Sequence, residues 1–165
     1  MEPFDATRAH AESVIRWLKH EHFNDLEGAS GFYCNRKIIR EAAKESRMKC
    51  LRIKNSIAGF VVFTIFKKHS VIEILEIRPK FREKGLGRIL AVHVVDSLFS
   101  KGAAYIKVEC SPHSSEQFWR KIGFVDDETS SKSTFGNPKL ILGSKPDKVT
   151  SYAPSAPDVA EPRLL

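Results

Sequence analysis

The sequence predicts a single α/β (α+β) domain, and three observations carry that prediction. Three runs rich in β-branched and aromatic residues follow one another across residues 48–77 with only tight turns between them. A loop with two glycines, residues 82–88, then leads into a stretch whose apolar residues recur at helical spacing. Another strand-like run and a short helix closed by Gly123 come after it. With 165 residues the chain has room for one domain with a real core and is too short for two ordinary ones.

Taken in order, residues 5–23 read as a helix, with Asp5 or Thr7 as cap. Ala11, Val14, Ile15, Leu18 and His22 trace one face and Trp17 flanks it. His20-Glu21-His22 invites a metal reading. Alternate residues on a helix point to different sides, however, and no third ligand stands at zinc spacing, so no metal site is expected. Residues 24–35 are turn-like and read as mobile, with Gly28, Ser30 and Gly31. Residues 36–47 form a second helix with Ile38, Ile39, Ala42 and Ala43 inside. Residues 48–54 and 57–67 make an antiparallel hairpin turning at Asn55-Ser56, and His69-Ser70 leads into a third strand, 71–77, that stops at Pro79. Lys67-Lys68 is a solvated turn.

Beyond the glycine loop, Gly87, Ala91, Val94 and Leu98 fall at helical spacing with Leu90 and Val95 beside them, and Lys101-Gly102 ends the helix. Residues 105–110 are the next strand. Ser114 with Gln117 reads as a capping box opening a short helix to Gly123. Residues 125–128 and 139–142 are closing strands around an exposed linker, 129–137. From Ser144 on, four of the chain's 8 prolines accumulate and apolar periodicity stops. The domain is therefore expected to span 1–143, with 144–165 a Pro-rich tail, poorly ordered alone or laid along a neighbour. No internal repeat is visible.

Composition narrows the class. Apolar content of 42% with 28% charged residues describes a globular protein, and no run is long enough to span a membrane. Met1–Asp5 has neither a basic head nor an apolar core, so no secretory leader is expected. Cys34, Cys50 and Cys110 are odd in number without C-x-x-C spacing, which argues against a disulfide framework or zinc site and for a cytoplasmic setting. The formal charge is +7. Cations and anions balance in the tail, so the excess belongs to the domain, where it would suit an anionic cofactor or steer an acidic or nucleic-acid partner.

The loop is the chemical centre. Arg82-Glu83-Lys84-Gly85-Leu86-Gly87-Arg88 stands where a strand turns into a helix N-terminus. There the first backbone N–H groups lack partners and the helix dipole is positive, which suits a phosphate. Glycine lets the backbone approach such a ligand closely. A dinucleotide fingerprint would need a third glycine where Leu90 stands, and no Gly-Lys-Ser/Thr run of a Walker loop occurs.

What remains, Arg-x-x-Gly-x-Gly, followed by helix, strand, short helix and Gly123-Phe124, resembles the GNAT superfamily of acetyl-CoA-dependent N-acetyltransferases across residues 50–143. The resemblance implies a mixed central sheet of about six or seven strands, an antiparallel meander and then a splayed parallel pair, with helices on both faces. It implies acetyl-CoA as cofactor, its pyrophosphate on Arg82, Glu83, Lys84, Gly85, Leu86, Gly87 and Arg88. The backbone of Leu75, Glu76 and Ile77 would hold its pantetheine arm like an added strand. Phe23, Phe32 and Tyr33 could line the acceptor pocket or close the core edge.

The same resemblance places a general base at Glu109, near the end of the second parallel strand. Glu76 and Glu73 are rivals, expected to face opposite ways because they lie three apart. Where many members carry the tyrosine that protonates the departing thiolate, this chain has Trp119, whose indole cannot usefully release its proton. Ser114, Ser115, Cys110 and His113 are the nearest substitutes. The implied function is acetyl transfer to a primary amine of a small molecule or protein. Toxin-like acetylation of aminoacyl-tRNA and a CoA-binding module without turnover stay open as alternatives, as does a homodimer; no membrane partner is expected.

Overall fold

The computed structural model describes residues 1–24, 31–131, 133 and 135–143. Seven strands form one sheet: β1 (Phe4–Asp5), β2 (Met48–Ile53), β3 (Ser56–Ile65), β4 (His69–Ile77), β5 (Tyr105–Glu109), β6 (Val125–Asp126) and β7 (Lys139–Gly143). Their spatial order is β1-β2-β3-β4-β5-β7-β6. All neighbours are antiparallel except β4 and β5, which run parallel. The helices are α1 (Arg8–Asn24), α2 (Arg36–Lys44), α3 (Leu86–Ser100) and α4 (Glu116–Ile122). The mixed sheet with an antiparallel meander and a parallel pair is the expected fold.

Helices cover both faces. On one, α1 and α2 bury Val14, Leu18 and Ile39 against Met48, Phe60, Val62 and Ile74. On the other, α3 and α4 bury Leu90, Val94, Leu98 and Trp119 against Val61, Ile72, Ile77 and Ile106. The apolar stripe of α3 is the one its spacing predicts. Among the described residues no helix is long and apolar enough to cross a membrane.

Several local expectations are corrected. The first helix starts later, because Phe4–Asp5 pairs with β2 and Asp5 binds Lys49 at 2.8 Å. Of the two expected caps it is Thr7 that serves: its hydroxyl accepts from the His10 N–H, and its own N–H donates to His10 Nδ1. His22 is exposed, since the last turn of α1 runs past the sheet, whereas Trp17 is buried edge-on against Phe60. Ile38 is exposed and α2 stops at Lys44, so only Ile39, Ala42 and Ala43 face inward. The β2–β3 turn sits at Lys54-Asn55, one residue early, with Lys54 at φ 51.

Ser114 forms no capping box. It lies exposed in the 3-10 turn His113–Ser115, and α4 begins two residues later without a side-chain cap. The first closing strand is Val125–Asp126, shorter than expected, because the chain turns inward at Asp127. Residues 25–30 of the turn-like stretch, residues 132 and 134 of the linker and the tail from 144 lie outside the described residues.

Candidate active site

The site begins where the parallel pair parts. β4 and β5 pair at four positions, from His69↔Tyr105 to Ile72↔Val108, and no further. Of the remaining residues of β4, Ile74–Ile77 stay paired with β3 on one side, and the stretch from Glu73 leaves its other edge facing a cleft. An edge of this kind presents backbone N–H and C=O groups to anything extended that lies along it.

A bulge sits at the parting point. Val62 pairs with Ile74 but Phe63 pairs with Ile72, so Glu73 is an extra residue on β4. Ile72 therefore points to the α3 face while Ile74 points to the α1–α2 face. This overturns the expectation that Glu73 and Glu76 face opposite ways. Glu73 accepts a hydrogen bond from Thr64 Oγ1, next to Val62 on the α1–α2 side, and Glu76 lies two residues on from Ile74 on that same side. Both carboxylates line the narrow part of the cleft.

At the far end of β4 the loop closes under Arg82. Its Nε donates to the Ile77 carbonyl at 2.9 Å and an Nη donates to Glu76 at 2.5 Å. Glu83 and Gly85 take positive φ, 62° and 74°, which turns the chain sharply into α3. The two glycines serve different ends. A Cβ on Gly85 would meet nothing within 4 Å, so its absence secures the backbone conformation and leaves the loop open. A Cβ on Gly87 would come to 3.3 Å of the Phe118 ring, so there the lack of a side chain lets α3 and α4 approach. Gly85 caps α3 with no side-chain hydrogen bond, leaving the first-turn amides directed at the cleft mouth. Arg88 Nη1 donates to the Lys121 carbonyl and ties this corner to α4.

The wide part of the cleft encloses about 510 Å³ between the β4 edge, this loop and α4. Leu75, Glu76, Ile77, Arg82, Glu83, Gly85, Leu86, Gly87 and Arg88 all line it. The backbone–loop set expected from the sequence is thus brought together; Lys84 is exposed at its rim. The narrow part, about 80 Å³, opens between β4 and β5. Leu75, Glu76, Ser115 and Phe118 border both parts.

The catalytic candidates are distributed unevenly. The Glu76 side chain is only 16% exposed, and burial pushes its carboxyl above the ordinary range against the pull of Arg82. Glu109 ends β5 at the mouth of the narrow part and accepts from Ser133 Oγ at 2.7 Å and Asn137 Nδ2 at 3.3 Å. Ser114 borders neither part, whereas Ser115 borders both. Cys110 is buried under the strand end, with its thiol pushed up by burial. Trp119 is 4% exposed, edge-on to Phe118 and Phe124, and forms part of the floor. Phe32 reaches the narrow part, while Tyr33 stands with His22 and Phe23 in a ring cluster outside it.

A sheet split between two parallel strands, beside a glycine-turned helix N-terminus, defines an N-acetyltransferase fold. The PaiA N-acetyltransferase of Thermoplasma acidophilum, solved with coenzyme A, matches with a TM-score of 0.69 at 13% identity over 86% of this chain and 98% of that one. The ribosomal-protein-S18-alanine N-acetyltransferase of Escherichia coli matches at 0.64 and 18% over 84% and 89%. Ard1 of Thermoplasma volcanium matches at 0.66 and 17% over 86% and 95%. Identities this low speak for the fold alone. No curated protein sequence matches the chain significantly. The Acetyltransferase (GNAT) family model, however, matches residues 11–124, more than half of the sequence, and the chain belongs to that family. The family uses acyl-CoA.

Proposed function

We propose that the protein moves an acetyl group from acetyl-CoA to a primary amine. The observation that carries this is the continuity of one cleft, from the free edge of Glu73–Ile77 to the uncapped first turn of α3 at Gly85. The first-turn amides of α3, with Arg82, Lys84 and Arg88, would take the pyrophosphate. The backbone of Leu75, Glu76 and Ile77 would hold the pantetheine arm and aim the thioester at the narrow part. Gly85 and Gly87 leave the room for this, the first by an empty Cβ position and the second by close helix packing.

Glu76 is assigned the base. It stands where the two parts meet and its pKa is raised, so it can take the proton that the acceptor ammonium must lose. The acceptor nitrogen then bonds to the carbonyl carbon, the C–S bond breaks with its electron pair on sulfur, and the second proton shed by the nitrogen as the amide forms restores the thiol. Of the hydroxyls near α4, Ser115 borders both parts and can relay that proton. Glu109 is kept at the mouth, where it can orient the incoming amine. Trp119, buried among aromatic rings, favours a second reading, a module that binds CoA without turnover.

Calorimetric titration with acetyl-CoA and a thiol-release assay over an amine panel test both readings. Gly85→Glu places a carboxylate against the pyrophosphate and is expected to abolish binding. Gly85→Ala, which shares the backbone strain of a positive φ without the charge, is expected to bind measurably. Unchanged affinity in Gly85→Glu refutes the loop assignment. Tight binding with no thiol release selects the module.

A further inference from the structure

We infer that the acceptor is a linear amine carrying a second positive charge, a diamine or polyamine; this rests on the acetyl-transfer reading of the same cleft. Charge changes sign along the cleft. Around its wide part the cations Arg82, Arg88 and Lys121 outnumber the carboxylates Glu76 and Glu83. Around its narrow part they are Glu73, Glu76 and Glu109, with no Lys, Arg or His among the described residues. An anionic cosubstrate and a cationic acceptor would each meet the opposite sign at its own end, and a nucleic-acid phosphate backbone would be repelled from the acceptor end.

The three carboxylates are not equivalent. Glu76 is paired with Arg82. Glu73 and Glu109 form no ion pair among the described residues and accept only from neutral groups, Thr64 for the first, Ser133 and Asn137 for the second. Such hydrogen bonds fix the carboxylates in place without a direct ion pair; Arg47 donates to the same Thr64 hydroxyl and Lys139 stands opposite Glu109 on β7, neither pairing with the carboxylate itself. Glu21 on α1 adds a further negative charge felt at Glu76.

Phe32 lines the narrow part and gives the aliphatic part of such an acceptor an apolar wall. Outside the cleft His22, Phe23 and Tyr33 cluster with ring centroids 5.2 to 6.2 Å apart, with Arg36 standing over the Tyr33 ring at 5.0 Å and Phe23 70% exposed. The spacing also discriminates. Three residues of strand separate Glu76 from Glu73, about 10 Å at the usual rise and somewhat less across the bulge. An amine deprotonated by Glu76 would therefore keep a distal ammonium near Glu73 only if a flexible aliphatic chain joined the two.

The test compares hexamethylenediamine with n-hexylamine, the same carbon chain with and without the second charge, titrated into protein saturated with CoA. The diamine is expected to bind at least about ten-fold tighter. That preference should fall to about two-fold or less in Glu73→Gln/Glu109→Gln, whose amide oxygens still accept from Thr64, Ser133 and Asn137. Equal affinities in the unaltered protein, or a preference that survives in the double variant, overturn the inference. The preceding CoA titration is read separately: if CoA fails to bind, the acetyl-transfer reading falls on its own.

Discussion

Gly59 offers a test of how the cleft edge is held in place. It lies on β3 opposite Ile77, the last residue of β4. A Cβ there would stand 2.3 Å from Ile77 Cδ1 and 3.0 Å from the Glu76 carbonyl oxygen. Ile77 has little room to swing away, because it is buried in the cluster that includes Val61, Leu86 and Leu90. Gly59→Ala therefore overpacks the sheet, at a cost of about 1–3 kcal/mol. For a chain of this length that lowers Tm by about 2–12 °C. Ile77→Val removes the clashing methyl and alone costs about 0.5–1.5 kcal/mol. Urea unfolding of the four proteins closes a double-mutant cycle. The double variant should be more stable than the sum of the singles by about 0.5 kcal/mol or more, since the shorter valine side chain vacates the space that the added alanine methyl needs. Additivity to within about 0.3 kcal/mol would refute the clash, and with it the idea that Gly59 sets the position of Glu76 and Arg82.

Three further outcomes are expected. With Glu76 as base, kcat/KM falls on the acid side from a pH above the ordinary carboxylate range, because its raised pKa means the proton-accepting form is lost early as pH drops. Glu76→Gln lowers the rate by about 10²–10⁴ and abolishes that limb, while Glu109→Gln retains it, as pH–rate profiles will show. Asp127 is 1% exposed and bound to Lys107 at 2.9 Å. Burial opposes its ionisation, but bonds from Ser130, Thr129 and Lys107 outweigh this and hold its carboxyl well below the usual range. A depressed pKa stabilises the fold at neutral pH, and that contribution is lost as pH falls below the ordinary carboxylate value towards the native one. Asp127→Asn should cost about 1–3 kcal/mol at pH 7 and flatten the acid limb of the stability curve in denaturant melts. With a colorimetric disulfide reagent, one thiol, the exposed Cys34, should react fast. Cys50, pushed up to about 12 by burial, and buried Cys110 should react only on unfolding.

The parts of this fold that could be read from the chain are those where one local rule acts alone. The stripe of α3 and the loop from Arg82 to Arg88 obey helical period and glycine chemistry, and both stand where expected. The errors arise where a distant neighbour decides. A strand of two residues has no periodicity, so Phe4–Asp5 is visible only through its pairing with β2. His22 and Ile38 continue their helices' apolar patterns but pass beyond the sheet. Ser114 matches a capping box by spacing, yet the turn after Pro112 delays α4 by two residues. The relation of Glu73 to Glu76 depends on one inserted residue on one strand, and alternation along a sequence carries no mark of it. The wide part of the cleft, built largely of backbone, was therefore more legible than the narrow part, built of side chains whose directions the bulge sets.

The brevity of the β4–β5 pairing has a mechanical consequence. Four residue pairs are the only ladder, among the described residues, between β1–β4, with the two N-terminal helices packed on them, and the β5–β7 group. Beyond Ile72 and Val108 the molecule is two half-sheets spanned by α3 and α4. Small hinge movements about that short seam would change the width of the split while leaving each half rigid. An extended guest lying in the split would act as a splint, so its arrival should slow amide exchange across Glu73–Ile77 far more than in β2 or β3.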